Sequence, residues 1–532
     1  MRIGENSLFM TITHQNSRSP FLQYGYPVLC ILSGLIVAQV IATFQVYVSN
    51  IELQASLKII KNAGYLAIPN QTIINRLQEF GPAFYGGLFF TLSIGAGLSL
   101  PAFGASWIWV RIFSSKTSIL LLLLIPWLLS LVLVNRHGFS PFVSAYFLFI
   151  PVTVFRMTRK LMPSLLPGQF RAFKIIHPGL FIILGFLWAW QMGGNVFMDV
   201  RDNLLLSSSL GGKLNAFYYR YTFYPAQVFK PLNRKGLKTC LITQVGDSDL
   251  KEALERELLQ HDYLPLEKTG QMDLILSKKG EEILLQHGGK TVMTTTAPRF
   301  LATGPICLKE FSQKMDRHVF FRKCVFLSLL TGLPAALYLF LFVLIRSFAA
   351  LFFKTNVSGV IASFICFGMG IALLTPIISG NQKKTEGKSL NEMLESDKRQ
   401  ERITAFNKML AKRLEISDYP AYEKLLRSPH VPDRYWLTKT MAFSQNPETL
   451  KDLLAFLNDA SPNVVSMAYW ALGLRGDKST LPEILKRIPI SDDWYNQWYA
   501  YNALKDLGWT QAKPYKISHR PARTNADKKI QE

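Results

Sequence analysis

The sequence predicts a polytopic α-helical membrane protein with about seven transmembrane helices, a small α/β insert and a C-terminal α-solenoid domain. Long apolar segments recur between residues 24 and 380, and runs such as the one from Ile119 to Ile125 exceed what a soluble core needs. A polar stretch, residues 198–323, interrupts this series. Beyond residue 380 the chain is charged and has helical periodicity, so a domain outside the membrane is expected there.

Each predicted span was located by its apolar length, because a helix needs about 20 apolar residues to cross a bilayer. The seven spans are residues 26–48, 83–108, 118–134, 141–155, 178–197, 324–345 and 357–379. The resulting regions are a tail (1–25), five helices (26–197), the insert (198–323), two helices (324–380), helical repeats (381–512) and a basic, disordered tail (513–532). The first span is too long for the core of a signal peptide, so we expect an uncleaved anchor.

Basic residues in the short loops predict the orientation, because Lys and Arg are enriched on the cytoplasmic side. One set of loops and the N-terminus carry Arg2, Arg18, Arg111, Lys116, Arg156, Arg159, Lys160, Arg171, Lys174 and Lys354. The opposite loops carry Lys58, Lys61, Arg76 and Arg136. This asymmetry favours a cytoplasmic N-terminus in a cell inner membrane, with the insert outside the cytoplasm. Seven crossings would place the C-terminal domain outside as well, but its side stays open, because the basic residues beside the sixth and seventh spans favour the opposite side. These residues are Arg317, Arg322, Lys323, Lys383, Lys384 and Lys388.

The formal charge of +23 is spread over loops and tails. That distribution suits anionic lipid head groups, so the lipid bilayer is an expected partner and nucleic acid is not. The five cysteines form no spacing typical of a zinc or haem site, and no metal or cofactor is expected. Cys240 and Cys307 lie in the insert, where they are predicted either to form a disulfide or to remain two buried thiols.

The insert has two parts. The first ends in an aromatic run from Phe217 to Phe229, which suits a membrane interface or, alternatively, a surface for carbohydrate or lipid. The second is predicted to be a small α/β unit with a strand at 237–243, a helix at 250–260 and a hairpin of strands at 272–277 and 282–286. Asp249, followed three residues later by a glutamate, is the expected N-cap of that helix.

Ionisable residues are almost absent from the middle of the predicted spans, although proton relays and ion-coupled carriers usually place them there. The second and seventh spans are instead rich in small residues, which are Gly86, Gly87, Gly95, Ala96, Gly97, Ser99, Gly359, Ser363, Gly368 and Gly370. Small residues allow helices to pack closely, and they are also compatible with a substrate path between the spans.

Three C-terminal segments, residues 432–457, 462–488 and 492–509, superpose as successive helical-hairpin units. Such periodicity indicates stacked helix pairs, each too small to bury its own apolar face. The second unit contains Val464-Val465, then Ala468-Tyr-Trp-Ala-Leu-Gly473 and Gly476-Asp477. On these residues it resembles the HEAT repeat, and more specifically the short bacterial type related to phycobilisome lyases. The first unit has Phe443-Ser444 where Leu-Gly is usual, and the third has Lys505 in place of the glycine.

The resemblance implies an α-solenoid that binds a protein partner, and it does not imply lyase chemistry. Aromatic side chains dominate interface hot spots, so the candidate partner-binding residues are Trp436, Trp470, Trp494, Trp498 and Tyr499. Packing between repeats is the alternative role for them.

Three function classes remain open from the sequence. The first is a membrane scaffold or assembly factor whose repeats hold a protein partner. The second is a transporter or permease component with a path between the small-residue spans. The third, a membrane enzyme acting on a lipid or an envelope polymer, has no nucleophile, metal or phosphate motif in its favour, and no catalytic residue is assigned.

Overall fold

The computed structural model describes residues 20–163, 171–193, 196–206, 208–267, 272–381 and 388–512. Most of residues 1–25 and all of the basic tail from residue 513 therefore lie outside the described residues. The described chain is mostly helical and contains one five-stranded sheet. The helices before the sheet are α1 (Pro20–Asn62), α2 (Gln71–Arg76), α3 (Phe80–Phe90), α4 (Ala96–Arg111), α5 (Thr117–Asn135), α6 (Pro141–Leu161), α7 (Arg171–Trp190), α8 (Val196–Asp199) and α9 (Ser209–Gln227).

Six helical segments among the described residues are long and apolar enough to cross a membrane. They are Gly25–Asn62, Phe80–Arg111, Thr117–Asn135, Pro141–Leu161, Val319–Ala349 and Val357–Ile378. The fifth predicted span corresponds to a shorter apolar helix, Ile176–Trp190. The first helix runs well past its predicted end at residue 48, because polar residues alone do not stop a helix. It ends just before Gly64, whose φ of +85° breaks the helical backbone.

Two of the long helices carry a π-helical turn, and the two turns face each other. One turn, Thr91–Gly95, joins α3 to α4, and the other, Ser328–Gly332, joins α12 (Val319–Leu327) to α13 (Leu333–Ala349). A Cβ at Gly332 would lie 2.9 Å from Gly97 Cα, and a Cβ at Gly97 would overlap the side chain of Ser328. Close packing between the two helices therefore explains why glycines occupy positions 97 and 332.

Replacing Gly97 with valine is expected to lower the midpoint of thermal unfolding in detergent micelles by several degrees, because overpacking costs about 1–3 kcal/mol. Gly104 lies on the same helix, and a Cβ there would meet nothing within 4 Å. The matched Gly104→Val variant should unfold close to the unsubstituted protein. Equal midpoints for the two variants would contradict close packing at Gly97.

Indole groups satisfy carbonyls that prolines leave free within the long helices. Pro334 has no N–H for the carbonyl of Leu330, and that oxygen accepts from Trp188 Nε1 at 2.6 Å. Pro151 likewise cannot bond Phe147 O, which accepts from Trp127 Nε1 at 2.5 Å. Neighbouring helices thus supply hydrogen-bond donors that the prolines remove from these apolar helices.

The insert contains the predicted strand and hairpin, with two further strands. The strands are β1 (Lys238–Thr243), β2 (Tyr263–Pro265), β3 (Leu274–Lys279), β4 (Glu282–His287) and β5 (Lys290–Thr296). Their order is β2-β1-β3-β4-β5, with β1 parallel to both neighbours and the last three strands antiparallel. Helices α10 (Ser248–Gln260) and α11 (Ala297–Met315) accompany the sheet.

Two details of the insert refine the sequence-based expectations. The N-cap of α10 is Asp247 and not Asp249, because the Asp247 side chain accepts from the backbone N–H groups of Asp249 and Leu250. Cys240 on β1 and Cys307 on α11 belong to one buried core, and both are free thiols in the structure. A disulfide between them stays a prediction, which mass mapping of non-reduced peptides would test.

The C-terminal region consists of short helices packed around one continuous core. After α14 (Thr355–Asn381) these helices are α15 (Leu390–Glu395), α16 (Arg399–Lys412), α17 (Tyr422–Leu426), α18 (Val431–Met441), α19 (Pro447–Phe456), α20 (Pro462–Arg475), α21 (Leu481–Arg487) and α22 (Trp494–Asp506). A glycine with positive φ, Gly476 at +82°, ends α20. The charged segment that begins this region forms two helices, α15 and α16, and not one, since Ser396 between them has an extended backbone.

Candidate functional site

Helices α16, α18, α20 and α22 pack one against the next, and α19 and α21 form a second layer on them. Small side chains set the spacing of the first layer. Ala471 is fully buried on α20, and a Cβ at Gly473 would lie 2.9 Å from Ala503 Cα on α22. Ala471 and Gly473 therefore serve helix packing, as repeats that cannot bury their faces alone require.

An arginine–aspartate ladder links successive helices of this first layer. Arg402 on α16 donates from Nε and a terminal nitrogen to the two carboxylate oxygens of Asp433, at 3.0 and 2.9 Å. Arg434 on α18 makes the same pair of bonds to Asp459, at 2.6 and 3.0 Å. Both pairs are largely buried, and this bidentate geometry fixes the register between neighbouring units. Arg402 precedes Asp433 by 31 positions, and Arg434 precedes Asp459 by 25. These recurring arginines and aspartates are the sequence signal that could have indicated the ladder.

The loop after α1 forms several hydrogen bonds with the last repeat. Asn70 is buried, and its backbone N–H donates to Gln497 Oε1 at 2.8 Å. The Nδ2 group of Asn70 faces the carbonyls of Ile488, Pro489 and Ser491 at 3.2, 2.9 and 2.7 Å. Its Oδ1 atom accepts from the N–H of Ile73 and caps α2. One side chain thus joins the end of the first apolar helix to the repeats.

Further polar contacts tie the same loop and the sheet to the repeats. Leu66 N–H donates to Gln511 Oε1 at 2.8 Å, and Gln511 Nε2 donates back to Leu66 O at 3.0 Å. Tyr501 on α22 donates to Asp262 Oδ1 at 2.7 Å, and Lys505 forms an ion pair with the same carboxylate. The loop, the sheet and the repeats are therefore in direct contact with one another.

A buried polar cluster joins the segment after α8 to α18. Asp202 is 4% exposed and pairs with Arg201 at 2.7 Å and with Lys439 at 3.6 Å. Arg201 also donates to the hydroxyl of Tyr435 at 2.7 Å. Burial, reinforced by Asp202, raises the pKa of Tyr435 well above its ordinary value. Burial also lowers the pKa of Lys439, although Asp202 opposes that effect. A proton-transfer site is not required to explain this arrangement, because the Asp202 carboxylate forms ion pairs with both cations.

Replacing Asp202 with asparagine should strongly destabilise this junction, because it removes the carboxylate with which the largely buried Arg201 and Lys439 both pair. Removing one partner of a buried pair costs about 3–5 kcal/mol. Glu423→Gln is the matched control, since Glu423 and Arg427 are 72% and 86% exposed and such pairs contribute about 0–1 kcal/mol. Thermal unfolding in detergent micelles measures both variants, and similar midpoints for the two would contradict the structural role of Asp202.

Helix α9, which carries the predicted aromatic run, lies between the repeats and α3. On one side Asn215 Nδ2 donates to Asn463 Oδ1 at 2.8 Å, and Tyr219 stacks on Tyr495 with ring centroids 4.1 Å apart. On the other side Tyr221 packs against Tyr85 of α3, with centroids 4.9 Å apart. A strip at helical spacing remains exposed, and it comprises Leu210, Leu214, Phe217 and Tyr218. This helix therefore combines a docking face with an apolar face open to the surroundings.

The five aromatic residues predicted to bind a partner lie at different places in the repeats. Trp436 is 6% exposed, and the Lys439 ammonium lies 4.2 Å from its ring centroid. Trp498 abuts Gly236, where a Cβ would overlap the indole ring, and Tyr499 accepts a hydrogen bond from Tyr495 at 3.0 Å. Trp470 packs partly buried against the repeat core. Their role in partner binding stays a prediction, and all five already pack in or against the repeat core, while Trp498 also contacts the insert.

Trp494 lines a cavity of about 370 Å³ at the junction of α1, α3, α9 and α22. Its other lining groups include Tyr85, Arg220 and Asp493. Burial raises the pKa of the Asp493 carboxyl, and the nearby Asp492 adds to this effect, while hydrogen bonds from the backbone oppose it. Sequence reasoning gave no signal for this cavity, because its walls come from four distant segments.

The described residues contain no group of three or more His, Cys, Asp or Glu side chains able to hold a metal ion.

Residues 420–505 match the family model of HEAT repeats. This match confirms the resemblance of the C-terminal region to HEAT repeats and suggests a role in protein interaction, while the likeness to the short bacterial type stays a prediction. It does not extend to the apolar helices or to the sheet. Comparison with curated proteins and with solved structures found no match for the chain.

Proposed function

We propose that the protein is an integral membrane scaffold or assembly factor whose HEAT-like domain binds a protein partner close to the membrane surface. The observation that carries this proposal is the docking of the matched repeats against the end of the first apolar helix through Asn70. A repeat array held by such buried contacts presents a fixed surface, and extended repeat surfaces are used for binding proteins.

The same contacts support seven crossings. The loop after α1, the sheet and the repeats contact one another, so all three belong on one side of the membrane. Three of the long apolar segments lie between that loop and the sheet. An odd number of crossings would place the loop and the sheet on opposite sides of the membrane. The shorter helix Ile176–Trp190 restores an even number if it also crosses. With a cytoplasmic N-terminus, an inner-membrane protein of this design carries its sheet and its repeats outside the cytoplasm.

We assign the partner surface to α19 and α21. The docking contacts come from α18, α20 and α22 and from the segment that follows α21. The second layer lies on these helices and presents exposed residues, among them Lys451, Ala455 and Lys486. A partner that binds there would leave the docking contacts intact.

Photo-crosslinking in cells tests this assignment. A photoreactive residue at Ala455 or Lys486 should capture one discrete protein that is absent when the label is at Lys279, an exposed position on the sheet. Capture that is equally strong at Lys279, or none at either repeat position, would contradict the scaffold proposal.

The alternative, a transporter or permease component, depends on a path between the small-residue helices. Gly86, Gly95 and Gly97 all meet neighbouring side chains within 3 Å of an added Cβ, which supports packing at the second span. Solute flux in proteoliposomes distinguishes the two functions, and the scaffold proposal expects none.

A further inference from the structure

A second cavity, of about 240 Å³, lies where the insert meets the start of α12. Its lining residues include Lys230, Lys235, Arg317, His318, Asp273 and Asp316. The apolar helix Val319–Ala349 begins directly after this cavity. The site therefore lies at the expected level of the lipid head groups, on the side that holds the sheet.

The two carboxylates of this cavity are already engaged. Asp316 accepts from two nitrogens of Arg322 at 2.7 and 2.5 Å. Asp273 accepts from the backbone N–H and the hydroxyl of Thr239 at 3.0 and 3.2 Å. Neither acid forms an ion pair with Lys230, Lys235 or Arg317 among the described residues.

Arg322 balances the charge of Asp316, and the three cations Lys230, Lys235 and Arg317 outnumber the remaining carboxylate of Asp273, so the net charge around the cavity is positive. Burial lowers the pKa of Lys230, and the charge of Arg234 lowers it further. Burial, together with Arg322, Arg317 and Lys235, also lowers the pKa of His318 to about 4 against the opposing charge of Asp316. His318 is therefore neutral near pH 7, and its ring can take part in a hydrogen bond with a ligand.

We propose that this cavity binds a phosphate-bearing anion, with Lys230, Lys235 and Arg317 as its charged ligands. Lysine and arginine are the side chains that recognise phosphate oxygens. The volume is below the range of about 300–1,000 Å³ for drug-sized ligands and suits a small anion or a lipid head group. Because the cavity adjoins an apolar helix end, an anionic phospholipid is the expected source, and this choice of source rests on the proposed membrane location.

Calorimetry on the full chain in a neutral detergent tests the proposal. Soluble dihexanoyl-phosphatidylglycerol should bind at one saturable site, and dihexanoyl-phosphatidylcholine should not. The combined Lys230→Gln, Lys235→Gln and Arg317→Gln variant should bind at least about tenfold more weakly. Exchanging the three residues as Lys230→Arg, Lys235→Arg and Arg317→Lys should restore most of the affinity, since the charge is kept.

A matched control removes three basic residues at the opposite end of the sheet unit, through Lys251→Gln, Lys278→Gln and Lys279→Gln, and it should not change binding. Removing the three cavity cations should leave thermal unfolding without ligand unchanged or raise its midpoint, because like charges no longer repel. If inorganic phosphate binds as tightly as dihexanoyl-phosphatidylglycerol, the anion site is supported and its ligand is a soluble phosphate and not a lipid. No binding of either anion, equal binding of phosphatidylcholine, or full binding by the triple glutamine variant would overturn the proposal.

Discussion

Replacing Ala471 with glutamate is expected to unfold the helical repeats while the apolar helices still insert. Ala471 is fully buried on α20, within the first layer of the repeats. The larger side chain overpacks this layer and buries a charge without a partner, which together cost at least about 3 kcal/mol. Because each repeat depends on its neighbours, the loss should spread along the array. Limited proteolysis should then digest the chain beyond residue 388, and partner capture should disappear.

The matched control for this variant is Leu474→Glu on the same helix. Leu474 is 48% exposed, so its replacement places the new charge in solvent. This control should keep a protease-resistant C-terminal fragment. A resistant fragment of the same size from Ala471→Glu would contradict the stacked-repeat description.

Replacing Asn70 with aspartate is expected to release the repeats from the loop after α1. The substitution preserves the cap of α2, since aspartate and asparagine are comparable N-cap residues. It replaces the amide that faces three carbonyl oxygens with a carboxylate, which leaves those acceptors without a donor and adds repulsion. The expected loss of docking free energy is about 2–4 kcal/mol.

Hydrogen exchange measures this release. In the Asn70→Asp variant, amides of α22 and of residues 488–491 should exchange faster, while those of α6 should not change. Asn75→Asp is the matched control, because Asn75 is exposed and its Oδ1 only accepts a bond from Gln71. Unchanged exchange in α22 after the Asn70 substitution would show that the loop does not hold the repeats.

Patterns that repeat along the chain made much of this fold predictable. Apolar length located the long helices, and the spacing around Ala468-Tyr-Trp-Ala-Leu-Gly473 identified the repeats that the family model matches. Alternation also located β1 and the β3–β4 hairpin. Strand β5 was missed because its threonine-rich sequence has little apolar alternation, and β2 because it is only three residues long.

The docking site could not be predicted in the same way. Asn70 contacts Gln497 across 427 positions of sequence, and Arg201 contacts Tyr435 across 234. Contacts of this kind depend on how separate units are placed, which no local periodicity encodes. The aromatic residues of the repeats were recognised as important, but their division between core packing, intrachain docking and partner binding depends on that placement. A single polar residue such as Asn70 gives no signal of its own in one sequence.

Chemical labelling of introduced cysteines tests the central claim most directly, namely that the loop after α1, the sheet and the repeats share one side of the membrane. The labelled positions are Asn75→Cys, Lys279→Cys, Lys478→Cys and Lys116→Cys, with the unsubstituted protein as the background. A membrane-impermeant maleimide should modify the first three in intact cells, and Lys116→Cys only after permeabilisation. Modification of Asn75→Cys in intact cells together with protection of Lys478→Cys would contradict the docked arrangement and the seven crossings.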